Sequence, residues 1–379
     1  MKRIGSVVLI LCAGLVSVAW GQKPACKFSP FWAEFHKENM ERWNKCEKVL
    51  NIRNAGKLSL KWSYFSGAIV YSSPAVANGV VYVGSQDNNV YALNAKTGAE
   101  MWSYTTGSYV ASSPAVANGA VYVGSFDGNV YALDASTGGK LWNYTSAGYV
   151  ASSPAAADGV VYVGSDDNNV YALNATTGAK LWSYATGNIV YSSPAVANGV
   201  VYVGSQDDNV YALNAKTGAK LWSYTTGALV NSSPAVVNGV VYVGSDDNNV
   251  YALDASTGDL LWTFLTDYRV SSSPAVANGV VYIGSWDGNI YALNAKTGAK
   301  LWSYATGNIV YSSPAVADGV VYVGSQDDNL YALNASTGGL LWSYATHGDV
   351  DSPAVSNGMV YVGSFDGDVY AFGLKKGRE

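Results

Sequence analysis

Glutamate all but disappears from this chain: after Glu100 the next one is Glu379. Lys, Arg, Asp and Glu together make up only 13% of the 379 residues, and histidine occurs twice. Acid–base chemistry therefore has few groups to draw on. Neither His36 nor His347 has a nucleophile or a carboxylate at a recognisable spacing, so no catalytic triad is expected. Basic clusters are also missing. A formal net charge of −5 without such a cluster excludes the electrostatic footprint of a nucleic-acid-binding protein and of one held on anionic membranes. Cysteine is scarce, at three, and none has the spacing of a zinc knuckle or a haem attachment site. Disorder is excluded by the opposite property, a hydrophobic fraction of 49%.

Long apolar runs are confined to the first residues. Lys2 and Arg3 precede the apolar stretch Ile4 to Val18, and Ala19-Trp20-Gly21 offers small-x-small before Gln22. Residues 1–21 thus read as a secretory signal, which places the mature protein in a periplasm or outside the cell with no membrane span left. Leu11 stands where lipidation of Cys12 would need a small residue. Removing Lys2 and Arg3 takes the net charge from −5 to −7. Cys26 and Cys46 then remain as an even pair in an exported chain, for which a disulfide is expected. They lie in an extension, residues 22–56. There Ser29-Pro30 predicts the start of a short helix with Trp32, Phe35, His36, Asn39, Met40 and Trp43 along one side.

What fills the rest is repetition. Ser-Ser-Pro-Ala begins at Ser72, Ser112, Ser152, Ser192, Ser232, Ser272 and Ser312, each 40 residues after the last. An eighth copy, one residue shorter, reads Asp351-Ser352-Pro353-Ala354. In one unit, Ser72 to Ala77 reads as a short strand and Asn78-Gly79 as a two-residue hairpin turn. Val80 to Gly84, Val90 to Leu93 and Glu100 to Tyr104 complete four strands joined by tight turns. Four antiparallel strands per unit predict a propeller blade. The fold is expected to be all-β: an eight-bladed β-propeller over residues 57–373, with residues 374–379 as a tail. The last unit stops at Phe372 without a fourth strand, and Leu58 to Tyr64 precedes the first complete unit. This amino-terminal strand is therefore expected to complete the eighth blade and close the ring. Trp62, Trp102, Trp142, Trp182, Trp222, Trp262, Trp302 and Trp342 recur on the fourth strands as packing residues between blades.

The stretch Ala132-Leu133-Asp134-Ala135-Ser136-Thr137-Gly138 through Trp142, repeated at Ala252 to Trp262, resembles the pyrroloquinoline quinone (PQQ) repeat. Ala92 to Trp102 matches with Asn in place of Asp, and Val83-Gly84-Ser85-x-Asp87 fits upstream. The resemblance is greatest to short bacterial PQQ-like propellers, BamB-like proteins of envelope assembly among them. It implies a rigid, monomeric scaffold whose loop face takes a protein or a carbohydrate-like ligand, with no cofactor. The alternative it implies is a quinoprotein dehydrogenase holding PQQ with calcium. Such enzymes have a vicinal Cys-Cys disulfide and a calcium-ligating Glu, Asn and Asp on insertions. This chain has no adjacent cysteines, no insertions and no glutamate within the blades after Glu100.

Eight internal copies show which positions the fold leaves free. One follows Gly-Ser: Gln86, Phe126, Asp166, Gln206, Asp246, Trp286, Gln326 and Phe365. The other precedes the innermost strand: Ile69, Tyr109, Tyr149, Ile189, Leu229, Arg269, Ile309 and Asp349. Both are expected at one mouth of the central channel. The most distinctive group is Tyr268, Arg269 and Trp286 with Asp246 from the neighbouring unit, since an Arg beside aromatic faces can hold a planar or anionic ligand by stacking and paired hydrogen bonds. Phe126, Asp166 and Phe365 complete the candidate surface. The Asp in each Ser-x-Asp, such as Asp87, Asp127 and Asp167, reads as a turn residue bonding its own backbone, not as a metal ligand.

Overall fold

The computed structural model describes Trp32, Ala33, Phe35 and residues 42–375. After a short pairing strand β1 (Trp43–Asn44), the strand β2 (Leu58–Phe65) leads into the repeats. The first blade is β3 (Ala75–Ala77), β4 (Val80–Gly84), β5 (Asn89–Asn94) and β6 (Glu100–Thr105), an antiparallel meander. The arrangement recurs to give eight sheets. Asn78 and Gly79, at φ 50° and 79°, make the β3–β4 turn, which is why every unit carries Asn-Gly or Asp-Gly there.

The second and third strands are buried along almost their whole length, as in Val80–Gly84 and the middle of Asn89–Asn94. Each blade is covered on both faces by its neighbours, so these strands read as apolar runs rather than alternating ones. The core accordingly lies between blades. Trp222, Val230 and Tyr202 of one blade, for example, pack with Val241, Val243 and Tyr251 of the next.

The eighth blade is closed as the repeat arithmetic predicts. Asp368–Leu374 pairs antiparallel with β2, Tyr64 opposite Val369 and Leu58 opposite Leu374. The first and last parts of the array thus share one sheet.

Two local expectations differ from the structure. Ser72 and Ser73 are outside the inner strand, which begins at Ala75. Pro74 has no amide hydrogen for a ladder, and the serines bond sideways instead. The Ser73 amide donates to Ser113 Oγ at 2.9 Å, Ser113 to Ser153, Ser153 to Ser193, and so on to Ser313 and Ser352. Adjacent blades are stitched together around the axis by this run.

The second difference is in the extension, where the expected helix is not what Trp32 and Trp43 form. Trp32 makes a two-way backbone bridge with Val76, and the Val116 amide donates to Ala33 O at 2.7 Å. Trp43–Asn44 runs parallel to Ala315–Ala317. The free axial edges of the inner strands outcompete a lone helical turn, because each backbone group there needs a partner. His36, Asn39 and Met40 lie outside the described residues, as do Ser29, Pro30, Cys26 and the leader. Arg42 is buried and gives its guanidinium to the carbonyls of Phe35, Ser313, Pro314 and Pro353. The shortened eighth copy puts Asp351 near this charge. Burial pushes the Asp351 carboxyl up to about 6, against a smaller opposing pull from Arg42 and the Ser352 hydrogen bonds.

Candidate functional site

The turn between the second and third strands fixes the first variable position. In the second blade Asp127 Oδ1 accepts the Asn129 amide at 2.9 Å, and its Oδ2 accepts the Tyr131 hydroxyl at 2.6 Å and the Gly107 amide at 2.7 Å. The repeated aspartates thus brace the turn and the loop that enters it. Hydrogen bonds from Tyr131, Asn129 and Gly107 outweigh the cost of burial and hold the Asp127 carboxyl below its ordinary range.

With the turns rigid, the two variable positions become direct partners. The amides of Gln86, Phe126, Asp166, Gln206, Asp246, Trp286, Gln326 and Phe365 donate to the carbonyls of Ile69, Tyr109, Tyr149, Ile189, Leu229, Arg269, Ile309 and Asp349, all at 2.9 Å. Side chains from both positions therefore gather on one face, around the end of the channel.

Arg269, Tyr268, Trp286 and Asp246 do come together. The Arg269 guanidinium lies 5.7 Å from the Trp286 ring centre and 6.0 Å from that of Tyr268, with Nη1 3.9 Å from Asp246 Oδ2. Arg269 is half exposed while Asp246 is largely buried, so the cation faces outward on a fixed anion. Asp246 is held in turn by Ser271 Oγ at 2.9 Å and Asn231 Nδ2 at 3.3 Å, and Asn231 Oδ1 accepts from Gln206 Nε2 at 3.0 Å. A hydrogen-bonded chain thus spans the fourth to sixth blades. Asp166 sits beyond its end, with the Tyr191 hydroxyl 3.5 Å away. Desolvation raises the Asp166 carboxyl.

Phe126 and Phe365 are remote from that group and belong to an aromatic arc. Phe126 stacks on Tyr149 at 5.2 Å and leans on Tyr109 at 6.5 Å. Phe365 lies between Tyr71 at 4.3 Å and Tyr311 at 5.9 Å. A shallow cavity of about 270 Å³ opens beside the arc, lined by Tyr71, Gln86, Tyr109, Ala111 and Phe126. The mouth therefore carries a hydrogen-bonded polar run across the fourth to sixth blades, with Tyr268 and Trp286 beside Arg269 at its end, and most of its aromatic rings from the seventh blade round to the third.

Sequence reasoning missed a third ring. Tyr71, Tyr191, Asn231, Ser271 and Tyr311 precede the Ser-Ser-Pro segment, and each touches a residue of the first variable position. The signal was present, since this position varies among units as much as the two singled out.

The structure defines a class first: a closed eight-bladed repeat propeller with its variable side chains concentrated on one turn face. The family follows from comparison. The family model described as outer membrane protein assembly factor BamB matches residues 40–151, 127–237, 226–309 and 306–379, and the chain belongs to this family of PQQ-like repeat proteins. No curated protein matches the chain. Among solved structures, BamB from Moraxella catarrhalis superposes with a TM-score of 0.74 at 22% identity, over 84% of this chain and 100% of that one. The computationally designed Ika8 protein gives 0.75 at 20% identity over 82% and 98%. A europium-containing methanol dehydrogenase gives 0.79 at 17% over 91% and 98%. These likenesses are to the fold.

Proposed function

We propose that this protein is an exported, non-catalytic binding scaffold that docks its partner or ligand on the mouth built by the variable turn positions. The observation that carries the reading is the concentration of non-repeated side chains there, on a frame whose every backbone turn is fixed. A preorganised surface loses little entropy on binding. Membership of the BamB family supports a role in the cell envelope. Among the described residues no helix is long and apolar enough to cross a membrane. A disulfide at Cys46, with Cys26 as the partner the sequence offers, supports an oxidising compartment.

The second reading, a PQQ-dependent dehydrogenase, is favoured by the likeness to methanol dehydrogenase. The residues do not fit its cofactors. The vicinal cysteines, the insertions and the blade glutamate with which such enzymes hold quinone and calcium are missing from the sequence. The mouth also carries Asp166, Asp246 and Asp349 against Arg269, an environment that opposes a polyanionic quinone. Titration of the mature chain with PQQ and calcium, followed by tryptophan fluorescence and dye reduction with alcohols, tests the reading. The scaffold requires no saturable quenching and no turnover; micromolar quenching with turnover would overturn it.

A further inference from the structure

Three buried polar atoms around the mouth have no partner in the structure: Asp166 Oδ1, Trp286 Nε1 and the Tyr311 hydroxyl. One needs a donor, one an acceptor, and the third takes either. Side chains at the mouth thus bring both donor and acceptor groups, which a polar ligand can use and a hydrocarbon cannot. Elsewhere on the mouth the half-exposed rings of Tyr109, at 49%, and Tyr149, at 55%, present flat apolar faces, that of Tyr109 beside a shallow cavity.

We infer that the mouth binds an uncharged oligosaccharide, a proposal that rests on the binding-scaffold reading above. A sugar ring has an apolar C–H face for an aromatic platform, and hydroxyls that both donate and accept. That pairing matches an arc of Tyr and Phe facing an arc of amide, hydroxyl and carboxylate groups. Charge narrows the class. Arg269 is already paired with Asp246, and Asp166 and Asp349 leave the mouth acidic, which opposes uronates, phosphates and sulfated chains. An extended peptide would need a free sheet edge or deep apolar pockets. The mouth offers closed turns and a cavity of about 270 Å³.

The internal repeats supply substitutions that the fold already tolerates. Phe126→Gln and Trp286→Gln place in the second and sixth blades the residue carried at the same turn by Gln86, Gln206 and Gln326. Cellohexaose, maltohexaose and chitohexaose are titrated into the mature chain by calorimetry, with a hexamer of galacturonate and a basic hexapeptide as comparisons. At least one neutral hexasaccharide binds saturably, loses tenfold or more in affinity in each variant at unchanged melting temperature, and outbinds the uronate and the peptide. Absence of binding by all three neutral sugars overturns the inference, as does binding that survives both substitutions or a preference for the acidic sugar or the peptide. Photo-crosslinking from Arg269 in cells separates the two levels. Crosslinks without sugar binding remove the oligosaccharide alone, whereas loss of both removes the docking reading as well.

Discussion

Trp62 occupies the space where a side chain on Gly98 would be. A Cβ there would come 2.7 Å from Cδ2 and Cε3 of the indole, and Nε1 donates to Ala95 O at 3.1 Å, one blade further round. The same seat holds Trp102 on Gly138 and Trp182 on Gly218, and continues to Trp302 on Gly338. The Thr-Gly of each repeat is thus the socket for the preceding blade's tryptophan. Trp342 faces the eighth blade, which lacks the turn, and packs edge-on against Phe372 at 5.1 Å instead.

Glycine substitutions separate socket from turn. Gly199 has φ 76° and nothing within 4 Å of its Cβ position, so Gly199→Ala bears only left-handed strain, about 1 kcal/mol. Gly218→Ala adds a collision with Trp182 and costs about 3 kcal/mol in urea unfolding. Equal costs would show that the socket contributes nothing.

Emptying a socket from the other side is predicted to be as damaging. Trp182→Ala removes a buried indole and its 2.9 Å bond to Ala215 O, at a cost of about 3–5 kcal/mol. A loss below about 1 kcal/mol by denaturant titration would contradict inter-blade packing.

Deletion of residues 57–64 removes most of β2 and bares the edge of Asp368–Leu374. An uncovered edge of that length templates pairing with other chains. Light scattering should detect aggregates at concentrations where the intact chain forms none, and a truncation that stays free of aggregates with the parental melting temperature would refute the closure.

Asp351 gives the fold a specific pH dependence. Its folded pKa, about 6, lies above the ordinary carboxylate value, so the native state holds the proton more tightly. Its contribution is full below about pH 4 and is lost as pH rises through 6. Asp127 and Asp167 are shifted down by their hydrogen bonds, so they act oppositely and only below about pH 4. The melting temperature should rise from pH 7 to 5 and fall below 4, and Asp351→Asn should flatten the first limb alone. An unchanged first limb in the variant would assign it elsewhere.

Repeat number, register and ring closure were legible because a 40-residue period and the Asn-Gly turns leave one antiparallel solution. The variable positions were legible as departures from a constant background, without any contact being visible. Ser72-Ser73 was misread because its role lies between blades, where no local pattern records it. The amphipathic spacing of Trp32, Phe35 and Trp43 suggested a helix, but long-range pairing with inner strands decides their conformation. The third ring, Tyr71 to Tyr311, went unseen because it adjoins the most constant segment of the repeat.

The most direct measurement is photo-crosslinking in cells from the mouth, at Arg269 and Trp286, compared with the opposite turns, at Asn118 and Asn198. The scaffold account predicts discrete adducts from the mouth positions, lost when the remaining variable residues of the sixth blade are replaced by those of its siblings, and none from the opposite turns. Adducts of equal strength from both faces, or from Asn118 and Asn198 alone, would contradict it.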